Sequence, residues 1–331
     1  MIPIRENIAN VPQPDLLAVG VDIGGTNTAV GVLDGRGTLL RTTEFPTEAS
    51  AGPVRFVQTL VAEIHMLLNT PAISGDVRSV GIACPAVNAR KGLVDNPANL
   101  GWGTVDIVRM LREHYDRPVF LLNDGDAAVL GEVRFGVARG LSNVVMVTLG
   151  TGLGGGIVID GELVRGTNGT GGELGHIIAA PGGRQCACGR RGCVETYVSA
   201  TGVCRTAAEL MASHLLPSRL RALAFAEITA RKVFDLARDG DELARLAFEV
   251  TGRHLGRLLA NLAAIYDPEA LVLYGGLLHA GAYLLDPTFQ AFRENVLEQY
   301  KSTVKILVTR LNDGQASILG AGSYALQMLE L

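Results

Sequence analysis

The sequence has little net charge, no long hydrophobic run and few cysteines, and each scarcity excludes a class of protein. Its 331 residues carry a formal net charge of -4, with both signs mixed along the chain. Such a mild charge does not predict a nucleic-acid partner. No apolar run approaches the roughly 18 residues that cross a bilayer, so we expect no membrane partner.

The first residues do not have the pattern expected of a secretory signal. The first residues, "MIPIRENIANVPQPDLL", carry charges and prolines early and contain no apolar central region. We therefore expect a soluble, cytoplasmic protein, long enough for two domains with real cores. In a reducing compartment the five cysteines favour metal ligands or buried thiols over disulfides.

Glycine, in contrast, is abundant, and its 41 residues form clusters. Residues 16–37, "LLAVGVDIGGTNTAVGVLDGRG", predict a strand, a tight turn and a second strand, closed by another turn. Residues 144–163, "VVMVTLGTGLGGGIVIDGEL", repeat this plan. A third cluster, "LVLYGGLL" at 271–278, follows a leucine-rich stretch with helical spacing that ends at Asp267-Pro268.

The two glycine-threonine turns have two interpretations. Each alone is compatible with an ordinary hairpin of an α/β protein. As a matched pair they favour phosphate binding, because bare glycine turns expose backbone N–H groups and the threonines add hydroxyl donors. A Walker P-loop is excluded because its lysine signature is missing. A Rossmann site is excluded because each turn is followed by a second strand-like run rather than a helix.

The stretch "PVFLLNDGDAA" at 118–128 predicts a strand that ends in polar residues just before a helix. Asp126 is interpreted as a helix cap. Asp124 lies one residue past the strand, beside the amide of Asn123, where ligands bind in open α/β sheets. A carboxylate there can accept a hydroxyl proton during phosphoryl transfer.

Three of the five cysteines lie within eight positions in "GHIIAAPGGRQCACGRRGCVE" at 175–195. His176 with Cys186, Cys188 and Cys193 predicts a tetrahedral zinc site in which protein fills all four places, so the metal would be structural. The alternative is three reactive or buried thiols. The isolated Cys84 and Cys204 are expected to be ordinary buried thiols.

Two glutamates flank this cluster, Glu173 before it and Glu195 after it. A zinc knot would hold both carboxylates in one place and fix the second ring nitrogen of His176 as a donor. Two acceptors and one donor suit a polyhydroxylated ligand such as a sugar. The loop "DNPANLGW" at 95–102, with Asn96, Asn99 and the single tryptophan, is either part of that pocket or a solvent-exposed turn.

These motifs together resemble the ROK family of sugar kinases and repressors. The resemblance rests on "DIGGTNTAVGVLDGRG", "NLGW", "NDGDAA", "LGTGLGGGIVIDGEL", "GGELGH" and "CACGRRGCVE" and runs from about residue 18 over nearly the whole chain. It implies an α/β, two-domain actin-like ATPase fold with an interdomain cleft. We expect a small domain from residues 1–123 and about 314–331, and a large domain from 124–313 that carries the zinc loop.

The resemblance also implies ATP-dependent phosphorylation of a hexose at its 6-hydroxyl, with Mg2+, by a homodimer or homotetramer. Asp124 would be the catalytic base, and Asn123, Asn99, Glu173, His176 and Glu195 would hold the sugar. Residues implied in holding ATP and its metal are Asp22, Gly24, Gly25, Thr26, Thr151 and Gly152, with Gly275 and Gly276 against the adenosine.

The substrate and the class remain open between three interpretations. The segment "ETYVSATGV" at 195–203 resembles the glucokinase branch and favours D-glucose. The alternatives are a kinase for N-acetylmannosamine or N-acetylglucosamine, and a non-catalytic sugar-sensing repressor. The latter is disfavoured because only some twenty residues precede the first glycine turn and Asp124 is retained. The sequence leaves polyphosphate open as a second phosphoryl donor.

Two positions depart from the usual family pattern. Asp126 stands where many members have asparagine, and Ala86, in "CPAVN", stands where glycine is commoner. The departure at Asp126 leaves Asp124 itself intact.

Overall fold

A computed structural model describes residues 15–71, 73, 75–88, 91–97, 99–312 and 314–329. Residues 1–14, which include most of the segment judged not to be a secretory signal, lie outside the described residues. Within these ranges the strands are β1 (Leu17–Ile23), β2 (Asn27–Asp34), β3 (Leu39–Pro46), β4 (Val77–Cys84), β5 (Val87–Asn88), β6 (Leu93–Asp95), β7 (Thr104–Val105), β8 (Val119–Asn123), β9 (Val144–Leu149), β10 (Leu153–Ile159), β11 (Glu162–Leu163), β12 (Ala270–Tyr274) and β13 (Lys305–Val308). The helices are α1 (Gly52–Leu68), α2 (Ile107–Arg112), α3 (Asp124–Phe135), α4 (Ala200–Ser213), α5 (Ala230–Arg238), α6 (Glu242–Tyr266), α7 (Ala282–Asn295) and α8 (Gln315–Gln327).

Two five-stranded sheets of matching plan organise the chain. Their strand orders are β3-β2-β1-β4-β8 and β11-β10-β9-β12-β13. In each, a run of three consecutive strands is extended by strands that come later in the chain. The first sheet joins β1, β2 and β3 antiparallel and β1, β4 and β8 parallel. The repeat predicted from the two glycine-threonine clusters is therefore present.

The described chain divides into two compact units. Unit one runs to Met146 and also contains Gly156–Gly172 and the chain from Thr309 onward. Unit two contains Val147–Gly155 and Glu173–Val308. None of the described helices combines the length and the apolar character that a membrane span requires.

Glycines in the middle of three strands let helix α8 lie directly on the first sheet. Gly31, Gly20 and Gly81 are register partners across β2, β1 and β4. A Cβ on Gly20 would stand 2.1 Å from the carbonyl oxygen of Ile318, and one on Gly81 only 1.9 Å from that of Ala321. These glycines therefore serve packing, which the sequence clusters alone did not indicate.

The predictions for the three glycine clusters are confirmed. The two glycine turns join β1 to β2 and β9 to β10, and the stretch before the third cluster lies in α6. Helix α6 is longer than its leucine pattern suggested, since it begins at Glu242, where Asp241 caps it by accepting the N–H of Ala244. It ends before Asp267, which takes a left-handed conformation.

Candidate active site

The carboxylate of Asp124 lies at the junction of β8 and α3 in unit one. Asn123 is the helix cap, because its Oδ1 accepts the backbone N–H of Gly125 at 2.9 Å. The Asp124 carboxylate accepts the same N–H, also at 2.9 Å. The interpretation of Asp126 as the cap is therefore wrong: it lies in the first helical turn, 3.6 Å from Nε of Arg165 as an ion pair.

A second carboxylate, Asp22 near the end of β1, interacts with Asp124. Burial raises the pKa of Asp22 to about 7, and the charge of Asp124 adds to this effect, whereas a hydrogen bond from the Ser317 hydroxyl opposes it. Burial also raises the pKa of Asp124, against the backbone N–H of Gly125. Cys84, the register partner of Asn123, is a fully buried thiol, as expected.

The first glycine turn, from Gly24 to Thr26, lies in the same unit. Gly24 donates its N–H to the carbonyl of Asn27 at 3.0 Å, which closes the turn. Thr47 holds it from outside, with its hydroxyl on the Gly24 carbonyl at 2.8 Å. The predicted sugar ligand Asn99 lies against the turn, since a Cβ on Gly25 would stand 2.9 Å from the Cβ of Asn99.

Trp102, at the end of the 95–102 loop, has a structural role. Trp102 packs on Phe56 with ring centroids 4.9 Å apart, and its indole N–H donates to the carbonyl of Ala49 at 2.9 Å. Asn96 is exposed and takes a positive φ of 49°. Asn99 is exposed as well, and it also lies beside the glycine turn.

The four predicted metal ligands cluster in unit two. Their donor atoms all lie within 4.8 Å of one another. Sγ of Cys186 is 3.8 Å from Nδ1 of His176, and the sulfur atoms of Cys188 and Cys193 are 3.6 Å apart. Ligands about 2.0–2.3 Å from a tetrahedral zinc ion are separated by roughly these distances, so the residues fit the metal.

The pKa values of the cysteine thiols in this cluster are compatible with binding of a cation. A backbone N–H donated by Arg190 lowers the pKa of the Cys188 thiol to about 6. Burial raises the pKa of the Cys186 thiol. One sulfur is thus readily ionised, whereas burial opposes ionisation of another, and a bound divalent cation would favour the ionised form of both.

The predicted sugar ligands of unit two surround the cluster. Nε2 of His176 lies 3.9 Å from Oε2 of Glu173. Glu195 approaches from the other side, with Oε1 3.8 Å from Sγ of Cys186. Its Oε2 accepts the backbone N–H of Leu153 at 3.0 Å. Glu195 therefore contacts both the cluster and the second glycine turn.

The third glycine cluster borders an apolar cavity of unit two. Gly275 has a φ of 110°, and a Cβ there would stand 2.6 Å from the carbonyl oxygen of Leu149. Beyond it lies a cavity of about 340 Å³, whose lining includes Gly276, Leu277, Phe234 and Phe248. An aromatic and aliphatic wall of this kind suits a flat heterocyclic ring.

Three residues that contact the predicted site residues were not identified from the sequence. They are Ser317, which donates to Asp22, Arg165, which pairs with Asp126, and Thr201, which donates to the carbonyl of Thr151. Only Thr201 has a local signal, since "SATG" at 199–202 starts a helix with a serine cap. The others depend on segments that are distant in sequence.

A comparison with known proteins decides the family. The sequence model of the ROK family matches residues 18–328. The chain belongs to the ROK family. It is 34% identical over 310 residues to a glucokinase of Halalkalibacterium halodurans, covering 92% of this chain and 93% of that protein. It is 32% identical over 273 residues to an N-acetylmannosamine kinase of Escherichia fergusonii, covering 81% and 86%.

A solved structure agrees with this ROK assignment. The crystal structure of a ROK family glucokinase from Streptomyces griseus in complex with glucose and AMPPNP superposes with a TM-score of 0.78. It is 33% identical and covers 94% of this chain and 99% of that one. The predicted fold class is confirmed: this ROK protein has the α/β fold of the actin-like ATPases.

Proposed function

We propose that this protein is an ATP-dependent hexose kinase that transfers the γ-phosphoryl group to the 6-hydroxyl of D-glucose. The observation that carries the proposal is the pair of interacting, half-buried carboxylates in the unit that holds the first glycine turn. Asp22 is near the end of β1, and Asp124 lies one residue past β8. The glucokinase relatives support glucose as the substrate. We place the enzyme in the cytoplasm, as a homodimer or homotetramer.

Asp124 is the proposed general base. Its carboxylate would accept the proton of the 6-hydroxyl while that oxygen attacks the γ-phosphorus and the bond to the leaving ADP breaks. Burial raises the pKa of Asp124, which brings its basicity closer to the working pH. The Gly125 N–H and the start of α3 hold the carboxylate in place.

The sugar itself would be held by polar side chains. They are the amides of Asn99 and Asn123, the carboxylates of Glu173 and Glu195, and the imidazole of His176. Carboxylates accept hydrogen bonds from free hydroxyls, and a sugar that lacks the right hydroxyl leaves them unpaired. This favours glucose over sugars with an N-acetyl group at C2, which adds an apolar methyl.

The nucleotide would use the three glycine clusters. Backbone and hydroxyl donors to the phosphates would come from Gly24, Gly25, Thr26, Thr151 and Gly152. Gly275 and Gly276 would lie against the adenosine, whose base fits the cavity beside Phe234.

Two metal ions complete the proposal. Asp22 would hold Mg2+, which when bound neutralises phosphate charge and would relieve the repulsion between Asp22 and Asp124. A structural Zn2+ would be held by His176, Cys186, Cys188 and Cys193 and would keep the surrounding sugar ligands in place.

A second candidate function is an N-acetylhexosamine kinase, which the N-acetylmannosamine kinase relatives favour. The deciding experiment measures kcat/KM with ATP and Mg2+ for glucose, mannose, fructose, N-acetylglucosamine and N-acetylmannosamine under one condition. We expect glucose to give the highest value. A higher value for either acetylated sugar would transfer the assignment to the second candidate. Sugar binding without turnover of any sugar would instead indicate a sensor of the repressor type.

A further inference from the structure

The turn between β9 and β10, from Gly150 to Leu153, is hydrogen-bonded to one other segment of unit two at three positions. That segment, residues 195–201, runs from the end of the zinc cluster to the start of α4. Glu195 Oε2 accepts the N–H of Leu153 at 3.0 Å, and the hydroxyl of Thr201 donates to the carbonyl of Thr151 at 3.1 Å. The N–H of Ala200 donates to the carbonyl of Gly150 at 2.9 Å.

Both side chains are themselves fixed. A Cβ on Gly152 would stand 2.4 Å from Oε2 of Glu195, so the carboxylate fills the space that the glycine leaves. The hydroxyl of Thr201 lies 3.0 Å from Oγ of Ser199, which caps α4 by accepting the N–H of Gly202. The two contacts are therefore parts of an ordered network.

The segment is also anchored behind the turn. The guanidinium of Arg184 is buried and donates to the carbonyls of Thr196 at 2.5 Å and Gly202 at 3.3 Å. It pairs with Glu209 through two hydrogen bonds of 2.8 and 2.6 Å. Residues on both sides of Ala200 are thus tied to the loop that carries the cysteines.

We propose that Glu195 and Thr201 are positioning residues for the phosphate-binding turn, so that Glu195 serves the nucleotide as well as the sugar. This inference rests on the proposed use of ATP. Thr151 and Gly150 are exposed, and an exposed glycine turn samples many conformations. Hydrogen bonds to the carbonyls of Gly150 and Thr151 and to the N–H of Leu153 would fix the conformation of the turn. Its remaining N–H and hydroxyl donors would then already point at the phosphate, so less conformational entropy would be lost on binding.

The test compares Thr201→Val and Thr201→Ser with the wild-type protein. Thr201 is exposed, so valine removes the hydroxyl with little effect on folding. We expect Thr201→Val to raise the KM for ATP and the Kd for ADP with Mg2+, measured by calorimetry without sugar, roughly three- to tenfold. The KM for glucose should stay within twofold, and Thr201→Ser should restore nucleotide affinity.

Thr303→Val is the matched control. Thr303 is an exposed threonine of the same unit, and its hydroxyl also donates to a backbone carbonyl, that of Gln299 at 3.0 Å. The affinity of the Thr303→Val variant for ADP should equal that of the wild type. Equal affinity of Thr201→Val and Thr303→Val for ADP would overturn the role of Thr201.

A second pair of variants tests Glu195 by the same calorimetric measurement. Glu195→Gln retains an oxygen that can accept the N–H of Leu153, whereas Glu195→Ala does not. We expect weaker ADP binding for Glu195→Ala than for Glu195→Gln, and equal binding would overturn the role of Glu195. Wild-type protein that neither binds ADP nor phosphorylates a sugar would instead reject the proposed function.

Discussion

Asp22 lies beside Asp124 in unit one, where burial and then the Asp124 charge raise the pKa of Asp22 to about 7. Asp22 is near the end of β1, and Asp124 directly follows the last residue of β8. Both strands are parallel neighbours of β4, one on each side of it. Buried carboxylates that repel each other are costly to ionise, and such pairs are typical of sites that bind cations or move protons.

The first prediction concerns pH. An unfolded aspartate ionises near 3.8, so the contribution of a protonated Asp22 to stability is complete below that pH and is lost as pH rises towards 7. Asp22→Asn does not ionise and should become more stable relative to wild type by about 2–3 kcal/mol between pH 5 and pH 8. Urea unfolding without added Mg2+ or nucleotide measures this. Parallel pH profiles for variant and wild type would contradict it.

The second prediction concerns the base. Asp124→Asn should lower kcat by about 10²–10⁴-fold, because a general base contributes that much, while the Kd for glucose changes only a few-fold. A coupled assay and calorimetry measure the two quantities. Asp76→Asn, an exposed carboxylate of the same unit paired with Arg117, is the control and should keep wild-type kcat. Retention of more than a tenth of kcat by Asp124→Asn would show that the assignment is wrong.

The third prediction concerns the metal. Elemental analysis should find one zinc ion per chain, and Cys188→Ser should lower Tm by roughly 5 °C or more and weaken glucose binding as well. Cys204→Ser is the control, since Cys204 is a half-buried thiol on α4 outside the cluster. Full stability and glucose affinity in a verified zinc-free protein would refute this role of the metal.

The fourth prediction concerns the contact between α8 and the first sheet. Gly81→Ala should lower the free energy of unfolding by about 1–3 kcal/mol, because its Cβ would overlap the carbonyl oxygen of Ala321. Urea denaturation measures the change. An unchanged midpoint would mean that the helix can move away from the sheet at no cost.

The fifth prediction has the opposite sign. Ala86, one of the two departures from the usual family pattern, takes a φ of 56°, where a side chain is strained and glycine is not. Ala86→Gly should therefore raise the free energy of unfolding by about 0.5–1 kcal/mol in the same assay. A loss of stability would show that Ala86 has contacts that outweigh this strain.

Local features were predictable from the sequence alone. The glycine turns, the strand that ends at Asn123 and the helix that follows it are encoded within a few residues, because turn chemistry and side-chain periodicity act over that range. The grouping of His176, Cys186, Cys188 and Cys193 was also predictable, since all four residues fall within eighteen positions and cysteine-rich spacing of this kind is typical of metal sites.

Tertiary structure alone decided what distant segments do to one another. The pKa of Asp22 depends on Asp124, about one hundred residues later, and on Ser317 in the last helix. The sequence gives no sign that Gly20 and Gly81 are needed for packing, because the helix that lies against them, α8, is more than two hundred residues away. The contact of Glu195 with the Leu153 N–H likewise has no local pattern, because it joins segments whose approach is set by packing of the whole unit.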